Sequence, residues 1–174
     1  MMPNGVTRVP LKMHHDDRGC LSEFFRANWE SVFAPVQWNA VASHARVLRG
    51  VHVHQEHRDY LVVLQGELLL GLCDLRRNSP SYRQAAIRSL RGEERAAWII
   101  PPGVAHGFYF PVATAYVYGL SEYWNLEDEL GCRWNDAGLG LDWPVTDPLL
   151  SERDRRAPPL AELMKTLDQL DPVW

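Results

Sequence analysis

The chain is poor in cysteine: Cys20, Cys73 and Cys132 are the only three among 174 residues, and no two stand in C-x-x-C spacing. An odd number without that spacing argues against a disulfide framework and against a thiolate zinc site, so the three read as buried or half-buried free thiols. No apolar run approaches the roughly 18 residues that a membrane-spanning helix needs. The opening residues, Met1 to Arg8, hold no apolar stretch of the kind a secretory signal requires. The two absences lead to the expectation of a cytoplasmic protein that does not enter a membrane. Blocks of like charge are missing too. The net charge is -4, the pI is about 6.0, and arginines and acidic residues are spread along the chain, which removes the basic face that nucleic-acid binding needs. Any anion has to be held locally. Internal repeats and low-complexity segments are also lacking.

What remains is 46% hydrophobic, enough for one core and too little for two comfortable domains, so a single domain over residues 1–174 is expected. Its elements read as short and extended. Residues 60–75 form two apolar runs broken at Gln65-Gly66-Glu67, a hairpin-like signal. Arg76 to Tyr82 reads as a loop through Asn78-Ser79-Pro80, and Ala85 to Leu90 and Ala96 to Ile100 as further strands. Pro101-Pro102-Gly103 forces a turn, and in the strand Ala113 to Ser121 the rings of Tyr116 and Tyr118 share a face. Many short strands with regular turn signals imply a sandwich or small barrel. The clearest helix is Pro158 to Leu170, where Leu160, Leu163, Met164 and Leu167 fall on one side, and a short helix is predicted near Ala27 to Phe33.

Within this β-rich frame stands Arg46-Val47-Leu48-Arg49-Gly50-Val51-His52-Val53-His54. Successive side chains of a strand face opposite sides, so His52 and His54 point the same way, into whatever the sheet encloses. Two inward imidazoles mark a candidate site.

A set of motifs in fixed order then gives a resemblance. Asp17-Arg18-Gly19, Glu23, Gln37 with Asn39, Leu48-Arg49-Gly50-x-His52, Asp74 with Ser79-Pro80, Ala105-His106-Gly107-Phe108, Tyr118, Trp134-Asn135-Asp136, Asp142-Trp143-Pro144 and Leu150-Ser151-x-Arg153-Asp154 together resemble the dTDP-4-dehydrorhamnose 3,5-epimerase family of cupin-fold sugar-nucleotide enzymes. The likeness runs from about residue 12 to about residue 155, leaving 156–174 as a helical extension. It implies an all-β, cupin-type double-stranded β-helix (jelly roll) with a small C-terminal helix, a homodimer, and a nucleotide-sugar substrate. Members act on a 4-keto-6-deoxyhexose linked to thymidine diphosphate and need neither an organic cofactor nor a metal. The C4 ketone acidifies the hydrogens on C3 and C5, so inversion needs a base on one face and an acid on the other.

On this resemblance His52 is the base, Asp154 its carboxylate partner and Tyr118 the acid. A carboxylate bonded to one ring nitrogen fixes the tautomer and leaves the other nitrogen as the base, and a phenol, with an unperturbed pKa of about 10, stays protonated until a carbanion needs the proton. Arg18, Arg49 and Arg153 match positions that bind the diphosphate or support the site, where a guanidinium fork can donate two parallel hydrogen bonds. Glu23, Gln37 and Asn39 match nucleotide- or sugar-contacting positions, and His106 and Glu129 match polar residues near sugar and base. Trp124 takes the place of an aromatic ring beside the substrate, a role that Tyr123 could share.

Two departures open other readings. The lysine that typical members use to stabilise the enolate oxygen is replaced by Asp59, and the glutamine two residues after the base is His54. His52-x-His54-x4-Asp59, followed by Pro102-Gly103-x2-His106, fits a metal-binding cupin pattern of three histidines and one carboxylate. A His52 nitrogen given to a metal could not abstract a proton, so the two readings exclude one another at that residue. The loss of the lysine equally allows a member that binds a sugar nucleotide without chemistry. Trp29, Trp38, Phe24 and Phe25 are candidates for a subunit interface or for ordinary packing.

Overall fold

Residues rich in Val, Leu, Ile and aromatics, in runs too short for helices, build the strands. A computed structural model describes residues 1–30 and 33–170. In chain order the strands are β1 (Thr7–Pro10), β2 (His14–Asp16), β3 (Gly19–Leu21), β4 (Gln37–Ser43), β5 (Leu48–Val53), β6 (Asp59–Gln65), β7 (Glu67–Asp74), β8 (Ala85–Arg91), β9 (Ala96–Ile100), β10 (Val104–Tyr109), β11 (Thr114–Leu120) and β12 (Leu130–Gly131). Two helices follow, α1 (Glu152–Arg155) and α2 (Leu160–Leu170).

The pairing is nested and antiparallel: β4 with β11, β5 with β10, β6 with β9, and β7 with β8. One long eight-strand hairpin is thus rolled up, and its strands distribute into two sheets, β1-β9-β6-β11-β4 and β12-β5-β10-β7-β8. This is the double-stranded β-helix, with each sheet closed by the β6–β11 or β7–β10 contact.

The break at Gln65-Gly66-Glu67 corrects the hairpin expectation, because β6 and β7 lie in different sheets. Gly66 turns a corner between them at φ +81°, and a Cβ there would come within 2.5 Å of the Ala113 carbonyl oxygen. Alternation alone cannot separate a hairpin turn from a corner, since both need a left-handed glycine. A turn occupies residues 27–28 where a short helix was expected; of that expected span, residues 31 and 32 lie outside the described residues. Cys73 and Cys132 are buried, whereas Cys20 is exposed on β3.

Both outer sheet faces are covered, which explains why β6 and β7 read as nearly continuous apolar runs. Leu61, Leu70, Leu72, Trp98, Ile100 and Phe110 pack between the sheets. Outside the first sheet, the N-terminal segment lays Leu11, Phe25 and Trp29 against Tyr60 and Val62. Outside the second, α2 sets Leu160, Leu163 and Leu167 on Val51, Val53 and Ala105. Leu163 is buried, and Leu163→Ala is expected to lower stability by about 2–5 kcal/mol through lost burial and the cavity left behind. Urea unfolding checks this; folded Leu163→Ala protein should keep its turnover, because α2 lies outside the roll.

Candidate active site

In a regular strand Arg49 and His52, three residues apart, would face opposite ways. The β5–β10 register shows why they do not. His106 pairs with His52 and Phe108 with Arg49, so β5 carries one extra residue between the two pairs, a β-bulge. The bulge sits at Gly50, where φ is +111° and a Cβ would meet Gly107 Cα and the His106 carbonyl oxygen at 2.9 Å. The Leu48-Arg49-Gly50-x-His52 spacing is therefore the device that turns both the guanidinium and the imidazole toward one cavity.

That cavity, about 290 Å³, is lined by Arg49 and His52 from β5, Asp59 from β6, His106 from β10 and Tyr118 from β11. His54, Trp124, Glu129, Arg153 and Asp154 also line it. A larger hollow of about 860 Å³ beside β1 is lined by neither histidine nor tyrosine and offers no comparable acid–base chemistry.

Asp154 reaches His52 because the segment before α1 is bonded to β5: Leu48 N–H donates to the Leu149 carbonyl at 2.9 Å and Leu149 N–H to the Arg46 carbonyl at 2.8 Å. Ser151 then caps α1, accepting from Asp154 N–H at 3.1 Å and donating its hydroxyl to Asp154 Oδ2 at 2.9 Å. The other carboxylate oxygen lies 2.6 Å from His52 Nε2. Burial works against the Asp154 carboxylate, but the hydrogen bonds from His52, Ser151 and the Gly50 backbone outweigh it and hold the group below the usual carboxylate range. With Asp154 ionised, Nε2 carries the ring hydrogen and the lone pair of neutral His52 is on Nδ1.

Tyr118 comes from the opposite sheet. Burial, with the Asp59 and Glu129 charges adding, raises its phenol above the ordinary value and keeps it protonated. Burial pushes His54 down to about 2, with the neighbouring His106 and His57 adding, and it pushes His106 down to about 4. Both rings give their Nδ1–H to backbone carbonyls, His54 to Asp128 at 3.2 Å and His106 to Val104 at 3.1 Å. Arg153 Nη1 is 2.6 Å from Glu129 Oε2.

The expected substrate contacts divide. Arg49, His106, Trp124, Glu129 and Arg153 line the cavity, while Gln37 and Asn39 stand beside it on β4, Asn39 opposite Tyr118 and Gln37 accepting from Trp124 N–H at 2.9 Å. Arg18 and Glu23 lie outside. Arg18 is paired with Asp16 at 2.6 Å in the β2–β3 turn, and Glu23 with Arg26.

The metal pattern is assembled differently from its sequence spacing. Among the described residues, the histidine–carboxylate set with donor atoms within 4.8 Å of one another is His54, His57 and Asp59, without His52, whose Nε2 faces Asp154. His54 and His57 stack at 4.0 Å with 27° between their planes. An ion bound in the plane of one ring then lies off the plane of the other, so the two rings as placed do not fit one ion.

Two residues escaped the sequence reading. Asp128 accepts Gln55 N–H at 2.6 Å and Glu56 N–H at 3.2 Å, stands 3.0 Å from His57 Nδ1, and so fixes the loop after β5. Nothing local in the sequence marks a carboxylate that acts 72 and 73 residues away. His57 itself was visible as a third histidine close behind His54.

The double-stranded β-helix with this inward histidine–tyrosine cavity places the protein among the cupin-type enzymes. Its family is equally definite: a family model described as dTDP-4-dehydrorhamnose 3,5-epimerase matches residues 3–162, and the chain belongs to that family of isomerases. A curated relative, the dTDP-4-dehydrorhamnose 3,5-epimerase of Methanothermobacter thermautotrophicus, is 34% identical over 172 residues, covering 91% of each chain. The Legionella pneumophila 3,5-epimerase, solved with dTDP-4-keto-L-rhamnose, superposes with a TM-score of 0.82 at 31% identity over 93% of this chain and 95% of that one. ChmJ, a 3'-monoepimerase from Streptomyces bikiniensis solved with dTDP-quinovose, gives 0.83 at 27% identity over the whole of both chains.

Replacing Gly50 by alanine tests the bulge. Gly50→Ala is expected to lower thermal stability and to reduce turnover well beyond the loss of folded protein, because relieving the clash at 2.9 Å moves β5 off β10 and His52 off Asp154. Full activity in Gly50→Ala would mean that the bulge does not aim the imidazole.

Proposed function

We propose that this chain is an epimerase of a dTDP-linked 4-keto-6-deoxyhexose, inverting C3, C5 or both. The observation that carries the reading is the 2.6 Å bond from His52 to a carboxylate 102 residues away, in a cavity shared with a half-buried phenol from the opposite sheet. His52 Nδ1 takes the proton from the carbon beside the ketone. The C–H electron pair becomes the C=C bond of an enolate, and the carbonyl pair moves to the C4 oxygen. Tyr118 returns a proton to the opposite face, and imidazolium and phenolate re-equilibrate with solvent. Arg49 and Arg153 take the diphosphate, Trp124 flanks the nucleotide, and Glu129 and His106 contact the sugar side.

Incubation with dTDP-4-keto-6-deoxyglucose in deuterated water, followed by NMR, tests this. Deuterium is expected at C3 or C5. Asp154→Asn is expected to slow wash-in by about 100- to 10,000-fold, the usual worth of a positioned base. Tyr118→Phe should exchange with retained configuration while yielding little epimer. Bound substrate without wash-in in the wild-type enzyme would leave a binding protein rather than an epimerase.

We further propose a homodimer in the cytoplasm, built on one domain whose core spans about residues 12–155. Free thiols suit a reducing compartment. Beside the edge strand β4, Phe24 and Trp38 are each more than a third exposed, and the β2–β3 hairpin is exposed throughout. A second copy would cover these surfaces, and Arg18 and Glu23, remote from their own cavity, would meet a substrate held by that copy. Light scattering is expected to give about twice 19.9 kDa; a monomer at working concentration would remove any substrate role from Arg18.

A further inference from the structure

The cavity has no lysine to meet the enolate: the chain's two lysines are Lys12 and Lys165, and neither lines it. The position that holds a lysine in typical members is Asp59, and its geometry is unusual. The side chain is buried, and no hydrogen bond among the described residues reaches its carboxyl group. Oδ2 stands 3.7 Å from His106 Nε2, and Oδ1 stands 4.0 Å from His57 Nε2. His57 is engaged through its other nitrogen by Asp128 at 3.0 Å. His106 spends its Nδ1–H on the Val104 carbonyl, so neutral His106 turns a lone pair toward Asp59. Burial and the facing lone pair both disfavour an ionised carboxylate there, and a proton on Asp59 relieves both.

Asp59 also lies where the carbonyl has to be. On β6 it is two residues from Leu61, which pairs directly with Tyr118, and His106, its other neighbour, pairs directly with His52. The proposed base and acid thus stand on either side of Asp59, as they have to stand on the two faces of the sugar ring, and this puts Asp59 level with the ring edge that carries the C4 oxygen. We propose that Asp59 acts as a neutral carboxylic acid whose O–H donates to the C4 oxygen as negative charge gathers there, taking the place of the lysine. This role rests on the epimerase reading above. The donor does not leave: the C–H proton goes to His52, the Asp59 proton stays in the hydrogen bond to the enolate oxygen, and the bond relaxes when Tyr118 reprotonates carbon.

The electrostatics agree. Burial pushes Asp59 up to about 7, with the Glu129 and Asp128 charges adding to it and those of His57 and His52 opposing. The same burial holds His106 and His54 neutral, and Tyr118 remains a phenol. A carboxylic acid held neutral in an apolar pocket is an effective oxyanion donor, whereas an ionised one would repel the charge it has to stabilise.

The test compares wild type, Asp59→Leu and Asp59→Asn for deuterium wash-in and epimer formation between about pH 5 and 9. Removing one oxyanion donor costs about 100- to 1,000-fold in kcat, and that loss is expected for Asp59→Leu, which keeps the branched shape and removes the polar atoms. Asp59→Asn retains an N–H donor and is expected to recover most of it. Wild-type kcat should fall as pH rises through Asp59's titration near 7, and Asp59→Asn should lack that fall. A second readout needs no substrate. Between the ordinary carboxylate value and about 7 the folded wild type holds a proton that the unfolded chain has released, so its stability falls across that window relative to Asp59→Asn. Wild-type turnover in Asp59→Leu, equal losses in both variants, or a stoichiometric metal ion in the purified protein that Asp59→Leu releases would each overturn the role. Absence of wash-in by the wild type with substrate bound overturns the epimerase reading itself, whereas wash-in that persists in Asp59→Leu overturns only Asp59.

Discussion

The bond between His52 and Asp154 is the constraint to which the rest of the site answers. It spans 102 residues, and each end is held by a separate device. The imidazole is aimed by a bulge that only glycine tolerates, because any Cβ at residue 50 would strike β10. The carboxylate is aimed by a four-residue helix too short to be stable alone, capped by Ser151 and tied through residues 46–49 to the strand that carries His52. Neither device aligns the pair without the other. The nested pairing of the roll is what puts them side by side, and it sets Tyr118 in the facing sheet.

Much of this was legible in the sequence, for reasons that differ between elements. The strands of the roll were readable because both sheet faces are covered, so apolar runs and turn signals alternate plainly, and α2 because Leu160, Leu163 and Leu167 repeat at helical spacing. The corner at Gly66 was misread because a left-handed glycine between two apolar runs carries no information about which sheet the second run joins. His52 and His54 announced themselves by strand parity. The alignment of Arg49 with His52 could not be read that way, since the bulge breaks the parity on which the inference depends. Asp128 was invisible for another reason: its partners, residues 55–57, are remote in sequence, and a single aspartate in a polar loop looks like solvent-facing charge.

The family likeness carried more than periodicity could, yet it was least informative where this chain departs from the pattern. Asp59 and His54, where the resemblance implies a lysine and a glutamine, are neighbours in space. Together with His106 they convert a site floor that would carry a permanent positive charge into one of neutral rings and a carboxyl group. Sequence spacing alone makes those residues look like metal ligands. The stacking of His54 on His57 and the loss of His52 to Asp154 show that spacing and lone-pair direction are separate requirements, and only coordinates report the second.

Charge is consequently divided along the depth of the cavity. Arg49 and the half-exposed Arg153 lie toward solvent, while His54, His106 and Asp59 form an almost dry floor. A nucleotide sugar has the same division: two phosphates with localised charge at one end, and a ketone at the other that is neutral until the reaction is under way. The arginines at the rim suit the phosphates, and an uncharged Asp59 carboxyl suits the ketone. Glu129 enforces the division from its side. By pairing with Arg153 at 2.6 Å it holds the guanidinium fork at the edge, where phosphate oxygens compete for it. Charge placed to orient the substrate and a proton placed to receive the developing enolate are then two aspects of one arrangement, and losing the lysine is tolerable because the floor can hold that proton itself.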